Sequence, residues 1–543
     1  MVLVLFFALA LIFFARLVYL QVIKASDFSD DAQAARTTII DTSPRRGTIY
    51  DRNGVVLATS IDAVTIYANP HEIDDVNAVA AQLTYILQGE IEDYLEKLST
   101  DTYFVYIKRK ADADQAQALE DLGLKGIYFI PDTKRVYPNN HVGGQVIGVA
   151  DVDGEGIAGL ELFYDDILRG TPGKLVVERG LGGIPIPGGV RTQTHAEHGQ
   201  DIIISLDIGL QEYLETRLAQ GVDDIEAVGG NALVYDASTG EILACASLPF
   251  FNPSDTTTVE EGATQLKSVT DAFEPGSIFK TVSMAAILEA NVLSPDDNMV
   301  CPAILQADEY YVSDAHERGD EVMSLQEILA RSSNVGISLS TQKLGFRPLY
   351  QKIIRYNLNS ATGIDYPGES HGYLLEQNQW SLIQSYNVSF GQGVSVTPVQ
   401  MARFYGVLVN EGVQCTPHFL IKKVSDEEMK NYLKVDIIDN KTMIPTLTKM
   451  LESVVTEGTA QDISIEGYAV AGKTGTAEIA RPEGGYREDA YHVSFVGYLP
   501  HSNSQLVCFV GATEVPADRK VTQIFQDIMA FAIDRYKISP NEG

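Results

Sequence analysis

The 543-residue chain reads as an α+β protein carried on one apolar N-terminal helix. Three observations predict this. The first stretch, Met1 to Ala15, is uncharged and strongly apolar. From Ser26 to about Gln200 the composition is mixed, with strand-like signals. Beyond that, strand patterns lie at both ends of the remaining chain with helical patterns between them, so strands from both ends must share one antiparallel sheet. The length predicts two or three domains, with expected boundaries of 1–23 for an anchor, 24–200 for a β-rich region and 201–540 for the main domain.

Arg16 interrupts the apolar run, Leu17 to Leu20 resume it, and the run to about Ile23 is just long enough to span a bilayer. A secretory signal peptide is the competing reading, but no small-x-small cleavage site follows, which favours an uncleaved anchor. No Lys or Arg precedes the run, whereas Arg16, Lys24 and Arg36 follow it, a bias toward an external N-terminus. A hydrophobic content of 45% is enough for proper cores. The net charge of -33 argues against nucleic acid as a partner, since phosphates require Lys and Arg, and disfavours anionic membrane surfaces. Four scattered cysteines form no C-x-x-C pair, and Cys245 and Cys508 fall in apolar runs as small core residues.

In the second region, Arg46 to Ala58 reads as a β-hairpin with its turn at Asn53-Gly54. The glycines between Gly180 and Gly189 are interrupted by Pro185 and Pro187 and lack the strand-to-helix context of a phosphate loop. The stretch His195-Ala196-Glu197-His198 is polar and has no further ligand in view, so an exposed turn is expected and no metal. No internal repeat is evident. In the third region, Asp201–Leu206 reads as a strand, and Leu210, Leu214 and Leu218 mark an amphipathic helix over 207–218. Ala232–Tyr235 and Glu241–Ala246 are strands joined by a turn cluster. Ser324 and Glu327 form a capping box opening a helix that ends at Ala330-Arg331. Late strands are expected at Tyr468–Ala471, His492–Leu499 and Leu506–Ala512, with a final helix over Val521–Ile533.

The stretch with chemistry is Phe273 to Thr281. Ser277 and Lys280 are three residues apart, on one helix face, with side chains able to exchange a proton. Pro275 and Gly276 mark the helix start, so Ser277 falls at the positive end of the dipole, suited to a hydroxyl whose attack creates an oxyanion. Val282 to Ala290 are almost wholly apolar, which predicts a buried helix. Ser-x-x-Lys alone arises by chance in long chains. Here Ser332-Ser333-Asn334 and Lys473-Thr474-Gly475-Thr476 come after it in order.

On these three motifs the chain resembles the penicillin-binding proteins, and further matches extend the resemblance over nearly the whole length to class B. They are Arg46–Ala58, Arg135–Pro138, His141–Gly148 and Gly156–Glu161. The resemblance implies the serine β-lactamase and transpeptidase fold on a non-catalytic pedestal of the dimerisation type. It implies a cytoplasmic N-terminus, normally behind a short basic tail, which conflicts with the charge bias and leaves the start of the chain open. No paired-carboxylate motif of a glycosyltransferase is present, so a monofunctional enzyme is expected, nearer the division or sporulation branch than the elongation branch.

The roles it implies are specific. Ser277 is the nucleophile and Lys280 its base, neutral through burial and the nearby cation of Lys473. Ser332 relays a proton to the leaving amine, and Asn334 holds the substrate amide. The Lys473–Thr476 strand aligns the peptide as an added strand, Gly475 leaves room for its backbone, and Thr474 and Thr476 bind its terminal carboxylate. The backbone N–H groups of Ser277 and Thr476 form the oxyanion hole. Gln392 either reaches the cleft or belongs to a packing loop. The implied partners are peptidoglycan stem peptides, β-lactams, the membrane, and an integral-membrane glycosyltransferase of the shape, elongation, division and sporulation family. No cofactor is implied. The rival readings are a D,D-carboxypeptidase or β-lactamase, and a non-catalytic β-lactam sensor or scaffold. Glu369 lies where a β-lactamase places its Glu-x-x-Leu-Asn motif, but Ser370-His371-Gly372-Tyr373 come next and the motif fails. No signalling domain for a sensor is visible.

Overall fold

The computed structural model describes residues 2–24, 37–179, 185–480 and 486–540. The N-terminal helix Val2–Val18 continues into a π-helical turn, Tyr19–Ile23. Leu3–Val22 has a mean hydropathy of 2.6 over 20 residues, long and apolar enough to cross a membrane. The Arg16 guanidinium carbon lies 5.7 Å from the centre of the Tyr19 ring.

Past this helix the chain forms two compact units, and neither is one continuous segment. The smaller unit takes in the chain up to Gly47, 59–136 and 166–200, and the larger takes in 48–58, 137–165 and 201–543. In the smaller unit, residues 59–68 pair antiparallel with Ile127–Val136 on one side and, from Val64, with Val105–Ala111 on the other. Helices Val76–Leu87, Ile91–Leu98 and Ala113–Asp121 cover this sheet and bury Leu83, Leu98 and Leu119 against Ile66 and Ile107. Strand-like signals did not anticipate these helices. Their apolar positions, including Val79, Leu83 and Leu87, keep a helical period. A separate sheet joins Thr37–Thr42, Gly173–Arg179 and Pro185–Thr194. The glycines at 180–183 lie outside the described residues.

The expected hairpin is present. Ile49 pairs with Ala58 and Tyr50 with Val56. The Asp51 carboxylate accepts the N–H groups of Asn53 and Val55 across the turn, and Gly54 takes the positive φ that the turn requires. The segment 137–165 is stitched into the larger unit by Gln145. Its amide donates to the carbonyls of Pro249, Ala263 and Gln265 and accepts the Ser247 N–H.

The larger unit is built on a five-stranded antiparallel sheet. Its strands are β1 (Gly229–Asp236), β2 (Ile242–Ser247), β3 (Ala471–Ala480), β4 (Tyr486–Tyr498) and β5 (Leu506–Val515), in the spatial order β2-β1-β5-β4-β3. Strands from both ends of the domain thus share one sheet, as the pattern predicts. Helix α1 (Ile208–Asp224) is capped by Asp207 and buries Leu210, Leu214 and Leu218 completely. Helix α2 (Lys280–Glu289) is buried at all ten positions. After it come α3 (Leu325–Ala330), α4 (Asn334–Leu344), α5 (Pro398–Val409), α6 (Met443–Thr456) and α7 (Thr522–Tyr536).

The sheet is covered on both faces. Phe495 packs on Phe525 of α7 and Phe509 on Phe273, and the register of Val496 opposite Phe509 puts those two rings on opposite faces. On the Phe509 face, Gly406 lets α5 close on Tyr235. The strand expected at Tyr468–Ala471 begins instead at Ala471 and contains the Lys-Thr-Gly-Thr residues themselves. These residues lack hydrophobic alternation, so the apolar residues ahead of them drew the boundary too early.

Candidate active site

Helix α2 is buried on every side and is held by its few polar groups, each of them partnered. Thr281 Oγ1 and the Tyr405 hydroxyl are 2.6 Å apart, and Ser283 donates to the Ser389 carbonyl at 2.7 Å. Glu289 accepts from Tyr356, Lys352 and the Asp439 N–H. The helix therefore has one fixed position. Ser277 lies in the 3-10 turn Gly276–Phe279 that leads into it, one turn ahead of the α-helix proper.

That turn is pressed against β3. Gly276 has a φ of 53° and donates its N–H to the Gly391 carbonyl at 2.9 Å, and a side chain here would lie 2.7 Å from the Thr476 carbonyl oxygen. A side chain at Gly475 would overlap Ser494 Oγ and press on Ile278 and the Pro275 carbonyl, 3.0 and 3.1 Å away. Where a side chain would project, the protein itself is in place, so this glycine lets the strand close on the serine turn. Strand β3 is the last strand of the sheet in the order of the described strands, which leaves one of its edges for an added chain.

Lys280 does not hydrogen-bond to Ser277. Its Nζ donates to the Ser332 carbonyl at 2.5 Å and to Ser332 Oγ at 3.1 Å. Ser332 lies between α3 and α4 at a φ of 61°, a left-handed conformation that turns its side chain and carbonyl together toward the lysine. Asn334 opens α4 and donates to the Ser313 carbonyl at 3.0 Å. Lys473 Nζ donates to the Thr474 carbonyl at 3.2 Å and Thr474 Oγ1 at 3.4 Å. Burial, and then the neighbouring Lys473 charge, pushes Lys280 well below the ordinary lysine range. Burial pushes Lys473 down to about 7. Gln392 is half-buried in a loop that packs on the serine turn, where Gly393 donates to the Glu274 carboxylate at 2.8 Å.

Two polar supports were not anticipated from the sequence. Thr459 Oγ1 is 2.5 Å from Thr474 Oγ1. Asp314 accepts from Ser333 Oγ at 2.8 Å, from the Val335 N–H at 3.0 Å and from Arg318 at 2.7 Å. The Asp314/Arg318 spacing was the available signal, but nothing local tied it to residues 19 positions away. His198, expected in an exposed turn, accepts the Arg45 N–H through Nδ1.

Residues 230–530 match the penicillin binding protein transpeptidase domain, and residues 41–204 match the penicillin-binding protein dimerisation domain. Penicillin-binding protein PbpB of Mycolicibacterium smegmatis is 30% identical, covering 97% of this chain and 89% of that protein. Stage V sporulation protein D of Bacillus subtilis is 30% identical, covering 92% of this chain and 79% of that protein. Penicillin binding protein 3 of Mycobacterium tuberculosis, solved in complex with aztreonam, superposes with a TM-score of 0.72 at 26% identity, covering 93% of this chain and 98% of that one. The chain belongs to the penicillin-binding proteins, class B.

Proposed function

We propose that this chain is a membrane-anchored peptidoglycan D,D-transpeptidase acting through an acyl-enzyme on Ser277. The observation that carries the reading is the convergence of the serine turn, Lys280 bound to Ser332, and the edge strand β3 at Gly475–Thr476. Neutral Lys280 takes the Ser277 proton as the hydroxyl attacks the penultimate carbonyl of a stem peptide. The backbone N–H groups of Ser277 and Thr476 stabilise the oxyanion. Ser332, sharing a hydrogen bond with Lys280, passes the proton to the departing D-alanine amine. An amine of a second stem then attacks the ester, forming the cross-link and restoring the serine hydroxyl. Lys473, Thr474 and Thr476 hold the terminal carboxylate, Asn334 the substrate amide, and Gln392 borders the cleft.

The class A β-lactamase alternative needs a carboxylate to activate water. Glu369 is already committed to its own loop, where it accepts from the Thr362 N–H, the Thr362 hydroxyl and the Gly363 N–H. The helix Val2–Val18 anchors the chain with everything after about residue 25 outside the cytoplasm. The pedestal and anchor bind an integral-membrane glycan polymerase of the shape, elongation, division and sporulation family, because a transpeptidase requires new strands to join. Mass spectrometry of products from nascent peptidoglycan supplied with such a polymerase tests the activity. Cross-linked dimers are expected, whereas trimmed monomers alone would make the protein a carboxypeptidase.

A further inference from the structure

Lys280 is held by Ser332, and Ser332 in turn is held by the residues just after it. The turn Ser332–Asn334 joins two helices with a left-handed residue at its head, a conformation that an L side chain keeps only when its surroundings fix it. The fixing group is Asp314. Both of its carboxylate oxygens accept from the Ser333 hydroxyl, at 3.0 and 2.8 Å, and one also accepts the Val335 N–H in the first turn of α4. Arg318 clamps the carboxylate at 2.7 Å and donates to the Cys301 carbonyl at 2.9 Å, so Asp314 is itself tied to the neighbouring strands.

We propose that Asp314 is a positioning residue for the acylation step, holding the Ser332–Asn334 turn against Lys280 through Ser333 and the Val335 N–H. It touches no substrate. The inference rests on the role of Lys280 given above.

The same carboxylate is the negative charge that acts on Lys280. Burial would raise it, but its bonds to Val335, Arg318 and Ser333 outweigh burial and keep it ionised. Its charge favours the ammonium form of Lys280, against burial and Lys473. The other charged or titratable groups around Asp314 are Arg318, His316 and Glu317 on its own loop and Glu321 beside the Cys301 thiol, with Arg331 paired to Glu321 from the end of α3. Removing the Asp314 charge therefore moves Lys280 further toward its neutral form.

The test is the pH profile of acylation by a fluorescent penicillin, measured on the full detergent-solubilised chain. Asp314→Asn removes the charge, and the acidic limb is expected to shift to lower pH by roughly 0.5–1 unit, the effect of one partly screened charge. Ser333→Ala keeps the charge and cuts the link, so its limb stays in place while the plateau falls about tenfold. A limb unmoved in Asp314→Asn, or a wild-type plateau in Ser333→Ala, overturns the proposal. If Asp314→Asn fails to melt cooperatively, Ser333→Ala decides alone. Lys280→Ala separates this from the underlying reading: if it acylates normally, the lysine's role fails, whereas a dead Lys280→Ala with an unmoved Asp314→Asn limb defeats only Asp314.

Discussion

Lys280 Nζ donates to both the carbonyl oxygen and the hydroxyl of Ser332, at 2.5 and 3.1 Å, across 52 residues of sequence. The pair joins the serine-bearing helix to the turn before α4, and it divides the lysine's anchorage between a backbone and a side-chain acceptor. Lys280→Ala is expected to lower acylation by penicillin by roughly 10²–10⁴-fold, the range for a lost general base, while the fold is kept. Ser332→Ala retains the carbonyl anchor and should lose less at this step. Stopped-flow acylation rates check both, and near-wild-type acylation of Lys280→Ala would remove the lysine from serine activation.

Gly475→Ala places a methyl group against Ser494 Oγ, Ile278 and the Pro275 carbonyl. Backbone on one side cannot give way, so β3 must separate from the serine turn. A loss of about 1–3 kcal/mol in stability is expected from overpacking, together with a fall in acylation larger than the stability change explains. Chemical denaturation and acylation rates on the same preparation test this. Wild-type values of both would show that the close approach is unimportant.

Lys473 is fully buried, with its pKa pushed down from 10.5 to about 7. The folded state binds this proton less readily than the unfolded chain does. Its contribution to stability is therefore unfavourable below about 7 and is relieved as pH rises from 7 toward 10.5. Lys473→Met should lose acylation yet melt higher than wild type at about pH 7, with the gap closing toward about pH 10. A gap that widens with pH would reverse the sign of the effect.

Glu215 is buried, with its pKa pushed up to about 7 by burial, against hydrogen bonds from Gln211 and the Gly143 N–H. Here the neutral form is favoured in the fold, so stability is lost as pH rises from about 4.5 to 7 and is level above. Glu215→Gln should remove that loss. Melting temperatures of the two proteins should diverge across pH 4.5–7, and parallel curves would show that Glu215 titrates normally.

Much of the architecture was legible because local chemistry and tertiary need coincide. Asn53-Gly54 makes its hairpin, Ser324 and Glu327 make their capping box, and the leucines of α1 face the core. The three motifs, Ser-x-x-Lys, Ser-x-Asn and Lys-Thr-Gly, were legible as patterns, but not how they meet. Sequence spacing suggested a Ser277–Lys280 contact, whereas the lysine reaches Ser332 instead. Gly475 read as space for a ligand, and the sequence did not show that it also lets Ile278, Ser494 and the Pro275 carbonyl come close. Asp314 was invisible because its partners, Ser333 and Val335, are neighbours only in the folded chain. The helices between 76 and 121 were not legible because they alternate with short strands in a region of mixed composition.

The central claim is that Ser277 forms the acyl-enzyme. Intact-protein mass measurement after incubation with a fluorescent penicillin tests it most directly. The wild-type protein should gain one adduct mass and release it slowly, because Glu369 is committed to its own loop. Ser277→Ala should gain none. An adduct that persists in Ser277→Ala, or wild-type turnover at β-lactamase-like rates, would contradict the account.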